Sequence, residues 1–141
     1  MGEFKLTFRD CRPDETIEGE TLADALGRRC KDDNDLTTVE LGGAALHRAD
    51  LSGANFRNAK LYDADLSRAD LHSADFDSAD LSDANLCGAN LRYANLSWAD
   101  LRGADLSYAD LTGVVLDNAL VSGARFSVGS SVITAEAVDD V

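Results

Sequence analysis

Apolar and polar positions along residues 40 to 127 repeat with a period of five, as in ADLSRADLHSADF over residues 64 to 76. A helix aligns one face every 3.6 residues and a strand every 2, so neither period puts these leucines on one side. A large apolar residue marks the centre of each unit, from Leu41, Leu46 and Leu51 through to Leu116, Val121 and Phe126, giving 18 consecutive units without an insertion. Two residues before each centre stands alanine, broken only by Val39 and Val114. Asp or Asn precedes most centres, and the remaining two positions are variable and mostly polar. A small and a large apolar residue alternating in this way predict a narrow core without voids. The turn-prone Asp, Asn, Gly and Ser fall where the chain has to bend.

The tandem A(D/N)LXX pattern resembles the pentapeptide repeat family over residues 40–127. That resemblance implies an all-β solenoid, a right-handed quadrilateral β-helix in which each unit is one side of a square and four units make a coil. Eighteen units then give about four and a half coils, a rod roughly 22 Å tall at the spacing of a β-sheet. Residues twenty apart share a column, so Phe56, Phe76 and Leu96 are expected to stack, as are Leu66, Leu86, Leu106 and Phe126.

The flanking segments have other periods. Phe4, Leu6 and Phe8 alternate like a half-buried strand. TLADAL carries a capping box at Thr21 and Asp24 and a short apolar stripe at Leu22, Ala25 and Leu26, with Gly27 expected to end or weaken that helix. Residues 1–39 are therefore read as a small strand-plus-helix cap, with an imperfect coil beginning at Leu36. Residues 128–141 form a C-terminal cap or tail, read as a short strand, a short helix or a disordered end. Covers of this kind protect the exposed backbone at the ends of a solenoid.

Charge narrows the function. The chain carries 26 acidic and 13 basic residues, a net charge of −13, which argues against direct binding to nucleic acid. Cys11, Cys30 and Cys87 are odd in number and form no CxxC pair, which favours reduced thiols in a cytoplasmic protein. No secretory signal is visible at MGEFKLTFRD, and no segment approaches the length of a membrane helix.

Catalytic and metal chemistry find no constellation. His47 and His72 fall on different coils. Asp33 and Asp35 suggest a calcium loop, but Thr38 stands where such a loop needs glycine. Cys87 has no basic neighbour in its own unit to activate it. The expectation is a non-enzyme with no cofactor and no metal.

What remains is surface. Tyr93 and Trp98 at successive corners of one coil, Tyr108 near the next coil up, and Arg92 and Arg102 form an arc with the composition of an interaction hot spot. This reading makes the chain a protein-protein interaction module with an unidentified protein partner, a monomer or an end-to-end dimer, with no membrane or nucleic acid. The alternative rests on the resemblance, since some family members protect DNA gyrase from quinolones and are thought to imitate DNA with an acidic rod. Asp63 and Asp83 in one column, and Asp80 and Asp100 in another, would supply such a stripe. Lys60 interrupts it, Arg48 and Arg68 form a basic column on the adjacent side, and residues 40–126 hold 13 acids against 7 bases.

Overall fold

The structure, a computed structural model, describes residues 2–10, 13–128 and 131–134. Its elements in chain order are β1 (Gly2–Leu6), β2 (Glu15–Gly19), α1 (Leu22–Asp32), β3 (Asp105–Leu106), β4 (Arg125–Val128) and β5 (Ser131–Thr134).

Strands are few because each side of the repeat contributes a single bridging residue to the ladder. Parallel bridges join residues twenty apart without a break, from Asp35 with Asn55 and Glu40 with Lys60 up to Asp100 with Leu120. The β3–β4 pair, Asp105 with Arg125, continues the same register. Backbone hydrogen bonds follow suit: Leu66 N–H donates to Asn85 C=O at 2.8 Å, Arg68 N–H to Cys87 C=O at 2.9 Å, and Asp65 N–H to Ala44 C=O at 2.9 Å. The ladder begins at Asp35 and Leu36, so the imperfect unit around Leu36 pairs like the others.

Each unit turns the same way. The alanine N–H bonds back to the carbonyl of the preceding centre, for example Ala69 to Leu66 at 3.1 Å. The residue two after the centre has positive φ in every turn from Thr38 to Gly123, six of them glycine and twelve not. A left-handed third residue is the mark of a type II turn, which favours Gly and tolerates Asn. The same geometry costs a β-carbon about 1–2 kcal/mol.

Inside the coils the alanine and centre side chains are buried from Ala49 to Leu106. Phe56 and Phe76, twenty residues apart, stack with ring centroids 5.1 Å apart and planes 5° from parallel. From Ala109 to Val121 the inward residues are only partly buried, and Ala124 is buried again.

Residues before the ladder differ in two respects from the sequence reading. The first strand has a partner: β1 and β2 form an antiparallel hairpin with Phe4 opposite Ile17. Ile17 is the single large apolar residue of ETIEG, too weak a pattern to mark a strand by itself. Leu6, Phe8, Ile17 and Leu26 join the same buried cluster as the first coil, and Phe8 bridges Val39.

Gly27 is the second difference, since the helix runs through it to Asp32. A β-carbon there would sit 3.0 Å from the backbone oxygen of Asp50. Glycine costs a helix interior about 1 kcal/mol, and here it lets α1 approach the first coil. The cap is Thr21, whose Oγ1 accepts from Asp24 N–H at 3.1 Å. The Asp24 carboxylate accepts from the N–H of Glu20, one residue outside the usual box, and from Arg28 Nε.

At the other end β4 turns back into β5 as an antiparallel hairpin, Phe126 opposite Ile133. The remainder of the C-terminal tail, from residue 135, lies outside the described residues.

Candidate interaction surface

The Asp and Asn column is built into the turns. Each side chain accepts a hydrogen bond from the N–H two residues on, as in Asp65 to Ser67 at 3.0 Å, Asn85 to Cys87 at 3.0 Å and Asn95 to Ser97 at 3.1 Å. This Asx bond holds the chain as it enters the corner. Across coils, Asn90 and Asn95 donate their amides to Asp70 and Asp75. Most of the rod's carboxylates are therefore turn parts before they are surface charges.

These bonds depress several carboxyl pKa values. The Ser67 hydroxyl and N–H hold Asp65 below the usual range, with His47 adding to the effect. At Asp80 burial pushes upward, but bonds from Ser82 and Lys60 outweigh it. A depressed folded-state pKa means that the unfolded chain binds protons first, so stability is present above the ordinary carboxylate range and lost as pH falls through it. The melting temperature should hold from neutrality to about pH 5 and then decline. Asp65→Asn keeps an acceptor oxygen and should flatten part of that decline; identical acid profiles for the variant and the parent would contradict this origin.

The predicted aromatics are all displayed. Tyr93, Trp98 and Tyr108 are 61%, 63% and 63% exposed, and each occupies the left-handed turn position with φ 59°. Arg92 lies 5.5 Å from the Tyr93 ring centre and reaches Asp110 at 3.3 Å. The Tyr93 ring covers Gly113 one coil up, where a β-carbon would approach Cδ1 to 2.5 Å. Arg102 folds back on Asp100 through Nε at 2.9 Å and Nη2 at 2.6 Å.

The twenty-residue register separates these side chains. Arg92 and Tyr93 share one turn, Trp98 stands on the next side, Arg102 on the third and Tyr108 on the fourth, so the arc is a girdle around the rod. The structure brings Arg92 and Tyr93 into contact and puts Trp98 at the adjacent corner. Tyr62, missed in the sequence, is a further exposed ring; it lies over Gly42, whose added β-carbon would meet Cζ at 2.3 Å. Its signal was the glycine twenty residues earlier, which leaves room for a ring.

Much of the acidic stripe is compensated. Asp80 bonds Lys60 at 3.3 Å and Asp100 bonds Arg102 at 2.6 Å. Asp63 and Asp83 share a turn column and form no ion pair among the described residues.

No group of His, Cys, Asp and Glu suited to a metal ion occurs among the described residues. His47 Nδ1 meets Ser67 Oγ at 2.8 Å and His72 Nδ1 meets Asp70 at 2.8 Å, each on its own. Burial raises the Cys30 thiol to about 11, and the nearby Arg29 only partly offsets this; such a thiol is a poor nucleophile. Cys87 is free and half-buried, and Cys11 lies outside the described residues. No described helix is long and apolar enough to cross a membrane.

The family model for pentapeptide repeats matches this ladder at residues 40–77, 69–107 and 79–118, with 8 copies. The chain belongs to the pentapeptide repeat family. A solved pentapeptide repeat protein from the Arabidopsis thaliana thylakoid lumen is 31% identical over 62% of this chain and 61% of that one, with a TM-score of 0.60. The pentapeptide repeat protein Rfr23 of the cyanobacterium Cyanothece 51142 is 35% identical over 59% of this chain and 60% of its own, with a TM-score of 0.46. This chain thus spans about three fifths of each. Full-length QnrB1, a plasmid-mediated fluoroquinolone resistance protein, is 20% identical over 70% of this chain and 53% of its own at a TM-score of 0.36, a superposition too loose to argue from. No curated protein matches the sequence. The right-handed quadrilateral β-helix is the fold of these pentapeptide repeat neighbours and gives the ladder its architecture.

Proposed function

We propose that this pentapeptide repeat protein is a non-enzymatic interaction module: a rigid rod of about four and a half coils, capped by its hairpin and helix, that presents the Tyr93 and Trp98 corners to a protein partner. The observation that carries this reading is the placement of exposed aromatics in left-handed turns. Glycine, asparagine or aspartate would serve the turn at less backbone cost, as they do at Gly103, Asn118 and Asp83. Bulky rings in strained, solvent-facing positions point to a use outside the fold. Tyrosine and tryptophan with a neighbouring arginine are the side chains that dominate interface energetics.

The cytoplasm is the compartment proposed for it, because Cys30 and Cys87 carry free thiols. The compensation of Asp80 by Lys60 and of Asp100 by Arg102 weighs against a DNA-mimicking surface.

A Tyr93→Gly, Trp98→Gly double variant separates use from fold. Its stability should equal or exceed that of the parent in a denaturant titration, because glycine relieves two left-handed β-carbons. Partner recovery from native lysate by the tagged variant should fall at least about tenfold, the consequence of losing two hot-spot rings. Undiminished recovery would remove these corners from the interface.

A further inference from the structure

The rod has a second feature that the aromatic girdle does not use. Twelve of the chain's lysines and arginines lie among the described residues, and nine of them are ion-paired. The three that form no ion pair are Lys31, Arg48 and Arg68. In a chain of net charge −13, free cations would be expected to find carboxylates. These three instead gather at one end of the rod. Lys31 on α1 and Arg48 on the first coil both line a groove of about 340 Å³, and Arg68 follows Arg48 in the same column twenty residues on.

The two walls are built differently. On the helix, Thr21, Asp24, Arg28 and Lys31 recur at spacings of three and four and so share a face. On the coil, His47, Arg48, Ala49 and Asp50 line the groove, with Arg48 held outward at φ 58°. Gly27 forms the floor, and its missing side chain sets the distance between the walls.

Of the two carboxylates of the groove, Asp24 is ion-paired with Arg28 and also accepts from the N–H of Glu20, whereas Asp50 accepts only from neutral donors, the Ser52 hydroxyl at 2.9 Å and the Ser52 N–H, and keeps its charge. Thr21 Oγ1 accepts from Asp24 N–H and keeps its own proton to donate. Lys31 on the helix and Arg48 on the coil, neither of them ion-paired, line a space the size of a small-molecule site. Cations approaching from two sides suit a compact group with several acceptor oxygens and more than one negative charge.

We propose that this groove binds a small phosphorylated ligand, with Lys31 and Arg48 clamping the phosphate and Arg28 and Thr21 completing its contacts. The site is independent of the Tyr93 and Trp98 corners.

Isothermal titration with inorganic phosphate and with glycerol phosphate, at low salt, tests the proposal on the full chain. Saturable one-to-one binding that weakens with added salt is expected. Lys31→Gln and Arg48→Asn should each weaken it about tenfold or more; asparagine suits the left-handed turn, so Arg48→Asn keeps the fold. Lys5→Gln removes an equal charge on the β1–β2 hairpin and should leave binding unchanged. Absence of saturable binding by either phosphate probe would overturn the proposal. So would equal affinity in Arg48→Asn and the parent, or uptake of an oligoglutamate peptide without uptake of phosphate, which would assign the groove to an acidic protein segment.

Discussion

Phe76→Ala should lower the unfolding free energy by about 3–5 kcal/mol, the range for deleting a buried aromatic ring. Phe76 is fully buried and lies flat against Phe56 in the coil before it. Removing the ring withdraws dispersion contacts from Phe56 and leaves a void that the shaft cannot close. Its walls are backbone hydrogen-bonded on either side, such as Phe56 N–H to Asp75 C=O at 2.7 Å and Phe76 N–H to Asn95 C=O at 2.7 Å. Collapse would require breaking that ladder. Phe76→Leu restores the residue used at most centres and should cost less than about 1.5 kcal/mol. Urea denaturation monitored by far-ultraviolet circular dichroism measures both. Equal losses for the two variants would mean that the ring's volume is not what the site needs.

Ala84→Leu tests the same shaft from the opposite direction, by adding volume rather than removing it. Ala84 is buried, and its N–H closes the turn on Leu81 C=O at 3.1 Å. A leucine at this position must displace neighbouring centre side chains or push two coils apart. Overpacking of this kind costs about 1–3 kcal/mol in ordinary cores. The upper part of that range is expected here, because every coil is tied to the next at a fixed spacing. Ser73→Asn is the outward control: Ser73 already has φ 59°, which asparagine tolerates, so the change should stay within about 0.5 kcal/mol. Similar losses at Ala84 and Ser73 in the same denaturant series would contradict the inward and outward assignment.

The repeat makes much of the fold legible in the sequence itself. Eighteen units in strict five-residue register leave few alternatives for which side chains are buried, and the four-sided coil implied by the family resemblance places Phe76 over Phe56. The segments outside the repeat were less legible, for two physical reasons. β2 gains its strand from pairing with β1, and its own ETIEG carries one large apolar residue. Gly27 reads as a helix stop from propensity alone, whereas the contact that explains it is with Asp50, 23 positions away.

Surface residues show the same division. The sequence singled out Tyr93, Trp98 and Tyr108 as departures from the small polar residues of the turns. Their exposure and left-handed geometry were decided by the coil register. Counting charges suggested an acidic stripe, but Lys60 and Arg102 reach Asp80 and Asp100 and compensate half of it.

By itself the sequence determined the period, the inward columns and the places where the chain bends, because these depend on neighbours at fixed short spacing. Only the tertiary structure decided which cations find carboxylates and which, like Lys31 and Arg48, line a groove without an ion pair. Ion pairing and clefts depend on distances between elements remote in the chain, and the packing of α1 on the first coil through Gly27 is what fixes them.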